Sequence, residues 1–203
     1  MFRVTDVVKH LLIINVLMFF GTGLLNSHLQ TMLAVFFPTS PFFQPYQLVT
    51  HLFMHGDITH LFFNMFALYM FGSPLEALWG PRRFLFYYFF SGFGALALHL
   101  LVMYVELSSG ALPPEMINIP MLGASGAVFG LLAGYGTMFP NSVLQLLFPP
   151  VAMKAKYFVV LYAVVELVFG VGNMVQGVAH FAHVGGALFG FLLILYWRKF
   201  GRW

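Results

Sequence analysis

Residues 123–139 read GASGAVFGLLAGYGTMF, a run without a single charged side chain. Glycine returns at every fourth position, at Gly126, Gly130 and Gly134. In water such a helix is weak, since each interior glycine costs about 1 kcal/mol against alanine and no polar face is left for solvent. In lipid the backbone bonds to itself, and the small residues let a neighbouring helix come close. The rest of the chain agrees that lipid is the solvent. Of 203 residues, 61% are hydrophobic and 7% charged, with a mean hydropathy of +0.89. A soluble domain of this length carries about 25% charged residues to wet its surface. One membrane domain, residues 1–203, is the expectation from size.

Working outward, six apolar stretches are long enough to span or nearly span a bilayer, at about 8–28, 58–73, 84–105, 123–139, 157–173 and 177–198. The second, fourth and fifth are short, and a short helix in a bundle leaves room for a wet cavity above it. Six spans put both termini and the even-numbered connections on one side. Arg3, Lys9, Arg82, Arg83, Lys154, Lys156, Arg198, Lys199 and Arg202 all fall there, the side that the positive-inside rule assigns to the cytoplasm. Asp57, Glu106 and Glu115 fall on the other. The expected fold is therefore all-α, a polytopic bundle of six transmembrane helices.

This segregation also disposes of nucleic acid, which the net charge of +3 and pI near 9.3 would otherwise suggest; the bilayer is the partner that the charges address. Leu11 to Phe20 follow Arg3 and Lys9 in the manner of a signal peptide, but no small-x-small cleavage site follows, and an uncleaved anchor helix is expected. Cysteine is absent, which removes disulfides and thiolate metal sites. His51 and His55 share i,i+4 spacing, yet no HExxH or carboxylate pattern accompanies them. No metal and no cofactor are expected.

Residues 29–57 are too apolar for a free loop and too broken by Pro38, Pro41 and Pro45 to span. They are expected to lie in the interface with aromatics at headgroup level. Residues 106–122 lead irregularly into the fourth helix, and irregular backbone at membrane depth lines a cavity or is buried in protein. No internal repeat is evident, which speaks against a transporter built of paired halves.

The glycine stripe of the fourth helix has a counterpart in the sixth: Ala182, Gly186 and Gly190. Ser125 adjoins the first stripe and His183 the second. If the helices pack on these faces, a hydroxyl meets an imidazole that can take its proton, as a serine nucleophile requires. A serine beside glycine is by itself most often packing, whereas a histidine in a membrane helix is costly and tends to be functional. His60 and Asn64, i,i+4 on the second helix, are side-chain donors suited to an oxyanion. The amide of Ser125 at a helix N-terminus is another.

Gly123-Ala124-Ser125-Gly126 in a fourth helix, Ala182-His183 with Gly186 and Gly190 in a sixth, and His60-x-x-x-Asn64 in a second resemble the rhomboid proteases. The similarity runs from about Tyr46 to Gly190. It implies a Ser125–His183 dyad without an acid, and an oxyanion hole of His60, Asn64 and the Ser125 amide. It also implies that Phe129 packs on the His183 ring. The substrates implied are single-span membrane proteins, cleaved at small residues near the outer face. The six-helix core resembles bacterial members, implying the inner membrane with cytoplasmic termini. Where rhomboids often carry Trp-Arg in the first external loop, this chain has Tyr46-Gln47.

His180, one turn before His183, is the rival base, but only His183 has glycine at i+3 and i+7. Glu166, mid-way along the fifth helix, either orients His183 or is a structural carboxyl; sequence alone favours the structural role. Gly170 and Gly172 mark residues 170–176 and the fifth helix as candidate moving parts. Two other functions compete: a non-catalytic rhomboid-like protein that binds or escorts transmembrane helices, and a transporter or channel using its histidines as proton relays.

Overall fold

A computed structural model describes residues 4–23, 27–145, 150–172 and 179–201. Its main helices are α1 (Asp6–Gly23), α2 (Ile58–Trp79), α3 (Pro81–Ser109), α4 (Ser125–Met138), α5 (Ala155–Gly172) and α6 (His180–Phe200). All but α4 are long and apolar enough to cross a membrane. The 14 residues of α4 reach about 21 Å at 1.5 Å per residue, short of a hydrocarbon core about 30 Å thick. A small antiparallel hairpin, Val143–Gln145 with Ala152–Lys154, joins α4 to α5. The chain is an all-α polytopic membrane protein.

The second helix is longer than its sequence suggests, running to Trp79 rather than ending near residue 73. Pro74 should break a regular helix, because it lacks a donor and clashes with the preceding turn. A π-helical stretch over Leu68–Gly72 widens the turn just before it, and the chain passes through without stopping. The ends of α3 also move outward, to Pro81 and Ser109, since proline is well placed at a first helical position. Residues 177 and 178 of the expected sixth span, and 173–176 of the expected moving segment, lie outside the described residues.

At the centre, α4 is buried from Gly126 to Gly134 without interruption. Its glycine stripe meets that of α6: a Cβ added at Gly186 would lie 1.9 Å from the Gly126 carbonyl oxygen, and one at Gly190 3.1 Å from Gly130 Cα. The third side is α3, where the buried Tyr87 hydroxyl donates to Gly130 O at 2.7 Å. In contrast α5 buries only Ala155, Glu166 and Gly170, leaving Val160, Val164, Leu167 and Val171 outward as a lipid-facing surface. On α1 the first amides are capped from a distance. Glu76 accepts from the backbone N–H groups of Val7 and Val8 at 2.9 Å each, and from the Thr5 hydroxyl, where a carboxylate complements the helix dipole.

The first external loop folds as a packed unit. A short helix (Ser27–Leu33) leads to Ala34–Phe37, all buried, while Phe42 and Tyr46 stay exposed, an arrangement suited to an interfacial element. Gln47 is buried and ties the loop together. Its amide donates to Met32 O and Phe42 O and accepts from the Gln44 N–H, each at 3.0 Å.

Candidate active site

Ser125 opens α4, preceded by Gly123 at φ +130°, a conformation that side chains rarely allow. The approach to the serine is pinned from the first loop. Gly123 N–H donates to His51 O at 2.9 Å, Val35 and Met121 exchange backbone bonds of 2.8 and 2.9 Å, and Ser40 Oγ donates to Asn118 at 2.8 Å. Both external connections thus brace the segment that leads into α4.

Gly123 is also where His60 and Ser125 converge. A Cβ there would meet His60 Nε2 at 3.0 Å and Ser125 Oγ at 3.5 Å. His60 enters on the first turn of α2, whose cap is Asp57: its carboxylate accepts the His60 N–H at 2.8 Å. Gly56 N–H donates to His60 Nδ1 at 3.4 Å, which leaves the proton of a neutral ring on Nε2, facing Gly123. One turn later the buried Asn64 donates one amide hydrogen to His60 O at 2.9 Å and keeps a second for another acceptor.

His183 approaches from α6. Its ring stacks on Phe129, centroids 4.1 Å apart and planes within 5°, and Tyr162 of α5 stacks on Phe129 in turn at 5.1 Å. Phe129 lies four residues after Ser125 and so on the same face of α4, which sets His183 beside the serine's face. Among the described residues no hydrogen bond joins Ser125 to His183.

The Nδ1 edge of His183 meets a carboxylate. Glu166 Oε2 accepts from His183 Nδ1 at 3.0 Å and from His180 Nδ1 at 2.7 Å. Of the two alternatives that the sequence left for Glu166, this contact matches the one it did not favour. His180 turns toward α5, its ring edge-on to Phe169 at 5.9 Å and its Cβ against Gly170, with Nε2 sealed and unpartnered. The three groups offer ligand atoms within 4.8 Å of one another, a spacing at which a metal ion can be held. Their separations are ordinary hydrogen-bond lengths, and two Nδ1–H donors on one carboxylate oxygen account for them. His99 of α3, near enough to His183 to sense its charge, escaped notice; a histidine within a span is the signal that marks it.

In the loop, burial pushes the His51 and His55 rings down to about 4 from the usual 6.5, with neighbouring His60 adding to the effect on His55. Both stay neutral. His51 donates Nδ1–H to Gln47 O at 2.8 Å, and His55 packs edge-on against His60 at 5.1 Å.

A family model described as the rhomboid domain matches residues 43–200. The chain belongs to the rhomboid family. It is 29% identical over 144 residues to the rhomboid protease AarA of Providencia stuartii, covering 69% of this chain and 51% of that protein. It is 29% identical over 152 residues to the putative rhomboid protease YdcA of Bacillus subtilis, covering 73% and 67%. RHOMBOID-like protein 4 of Arabidopsis thaliana is 35% identical over 141 residues, which are 69% of this chain and 31% of the plant protein. The rhomboid chain described here thus spans between about a third and two thirds of the length of these relatives. As an integral membrane protein it shares the family's setting. Some of these relatives are named proteases and others only rhomboid-like.

Proposed function

We propose that the chain is an intramembrane serine endopeptidase, one rhomboid domain acting on single-span membrane proteins near the face opposite its basic residues. The observation that carries this is the His183 ring stacked at 4.1 Å on Phe129, on the face of α4 that Ser125 begins. His183 Nε2 accepts the Ser125 proton as the oxygen attacks the scissile carbonyl. The C–N bond then breaks, the leaving amine takes the proton from His183, and an acyl-enzyme remains for water to hydrolyse. The developing oxyanion lies between His60 Nε2–H, the free Asn64 amide hydrogen and the Ser125 N–H at the start of α4, donors fixed before the reaction begins. By the positive-inside rule the nine basic residues face the cytoplasm, and by resemblance to AarA and YdcA the membrane is a bacterial inner membrane.

A non-catalytic escort of transmembrane helices is the competing reading, and some relatives are named only as rhomboid-like. Reaction with a fluorophosphonate separates the two. Covalent labelling mapped to Ser125, lost in His183→Ala, is expected of the protease; no labelling of folded wild type favours the escort.

A further inference from the structure

The geometry points to Glu166 as a positioning residue for His183, a carboxylate on α5 that fixes the base's tautomer and balances its charge. The inference rests on the Ser125–His183 reading and changes it, since that reading has no acid. Three observations carry it. Glu166 Oε2 lies 3.0 Å from His183 Nδ1, the nitrogen turned away from the reaction if Nε2 serves Ser125. The same oxygen lies 2.7 Å from His180 Nδ1, so a second donor, on the same face of α6 one turn earlier, holds the carboxylate in place. The group is buried, with side-chain exposure of 9% for Glu166, 12% for His183 and 7% for His180, where an unbalanced charge is most costly.

These positions answer two needs of a histidine base. A neutral imidazole is useful only when its proton sits on Nδ1, because Nε2 must arrive with a lone pair. An Nδ1–H bonded to carboxylate favours that tautomer over the other. When Nε2 takes the serine proton, the ring becomes a cation inside a poorly polarisable bundle, and the anion already bonded to it offsets that charge. Glu166 keeps its own charge throughout; no proton passes to it. Phe129 holds the ring plane from one side while Glu166 holds its edge, so only the Nε2 edge is left for chemistry.

The location of Glu166 adds a consequence. It sits on α5, the least buried of the large helices, whereas Ser125 and His183 sit on the packed pair α4 and α6. Any displacement of α5 that admits a substrate also loosens the acid from the base, and return of α5 restores it.

The test compares Glu166→Gln, Glu166→Asp and Glu166→Leu with wild type in two measurements. Cleavage of a single-span substrate in liposomes should show kcat reduced about ten- to a hundred-fold in Glu166→Gln, with KM within about two-fold and partial recovery in Glu166→Asp. Nitrogen-15 NMR of labelled histidine, with His183→Asn used to assign the signal, should show neutral His183 carrying its proton on Nδ1 in wild type. That signal should move toward the Nε2–H form in folded Glu166→Leu. The inference is overturned if Glu166→Gln keeps wild-type kcat, or if His183 stays Nδ1–H without the carboxylate. The NMR result does not depend on turnover, so it stands or falls even if Ser125 proves not to be a nucleophile.

Discussion

His183 has its face, its edge and its reactive nitrogen assigned to three different neighbours. Phe129 takes the face and Glu166 the Nδ1 edge, and Nε2 is left for Ser125. His51 and His55 show the opposite use of a histidine, as neutral packing for the loop that braces Gly123. Because burial lowers both to about 4, the unfolded chain takes up protons between pH 6.5 and 4 that the folded chain refuses. By linkage, stability is complete above about pH 7 and falls as pH is lowered through that window. The unfolding midpoint in detergent should therefore be level at neutral pH and drop below 6, with a shallower drop in His51→Asn. Parallel profiles for variant and wild type would contradict this. Ser125, His183, His60 and Asn64 were legible as candidates in the sequence because each is polar in an apolar run. For Glu166 the sequence left two alternatives and favoured the structural one, because it places a carboxyl on a helix without saying that its face meets His183 and His180. Gln47, read in the sequence only as a departure in the loop, makes three loop hydrogen bonds through its amide.

At the level of elements, the account depends on α4 and α6 touching backbone to backbone. Lipid gives no hydrophobic push between helices, so close packing of small residues must supply the attraction. Gly186 is the narrowest point, with a Cβ placed 1.9 Å from Gly126 O. Gly21 on α1 has nothing within 4 Å of its Cβ position. Gly186→Ala is expected to cost about 1–3 kcal/mol or more by overpacking, and to lower the unfolding midpoint and activity together. Gly21→Ala is expected to be neutral or slightly stabilising, by up to about 1 kcal/mol. Equal midpoints for the two variants would show that the stripe does not set the helix separation. The stripe was readable as a four-residue period. The passage of α2 through Pro74 was not, since a π turn depends on what Gly72 packs against: Val8, Phe84 and Leu68 all stand within 3.3 Å of its Cβ position.

Across the whole molecule, a packed α3–α4–α6 core carries Ser125 and His183, while α5 lines the outside with Glu166 and Tyr162, whose ring stacks on Phe129. Composition alone made the membrane legible, and six apolar runs with one-sided basic residues made the helix count so. The glycine stripes marked α4 and α6 as partners, but that α3 closes the third side was hidden, because nothing in its sequence says which neighbours it meets. A charged, impermeant fluorophosphonate is expected to reach Ser125 from the face opposite the basic residues and to fail from the basic one. The central claim is that Ser125 breaks peptide bonds. Cleavage of a single-span model substrate by wild type and by Ser125→Ala, each reconstituted in liposomes and shown to be folded, tests it most directly. The account predicts specific cleavage by wild type and none above background by Ser125→Ala; equal cleavage by both would contradict it.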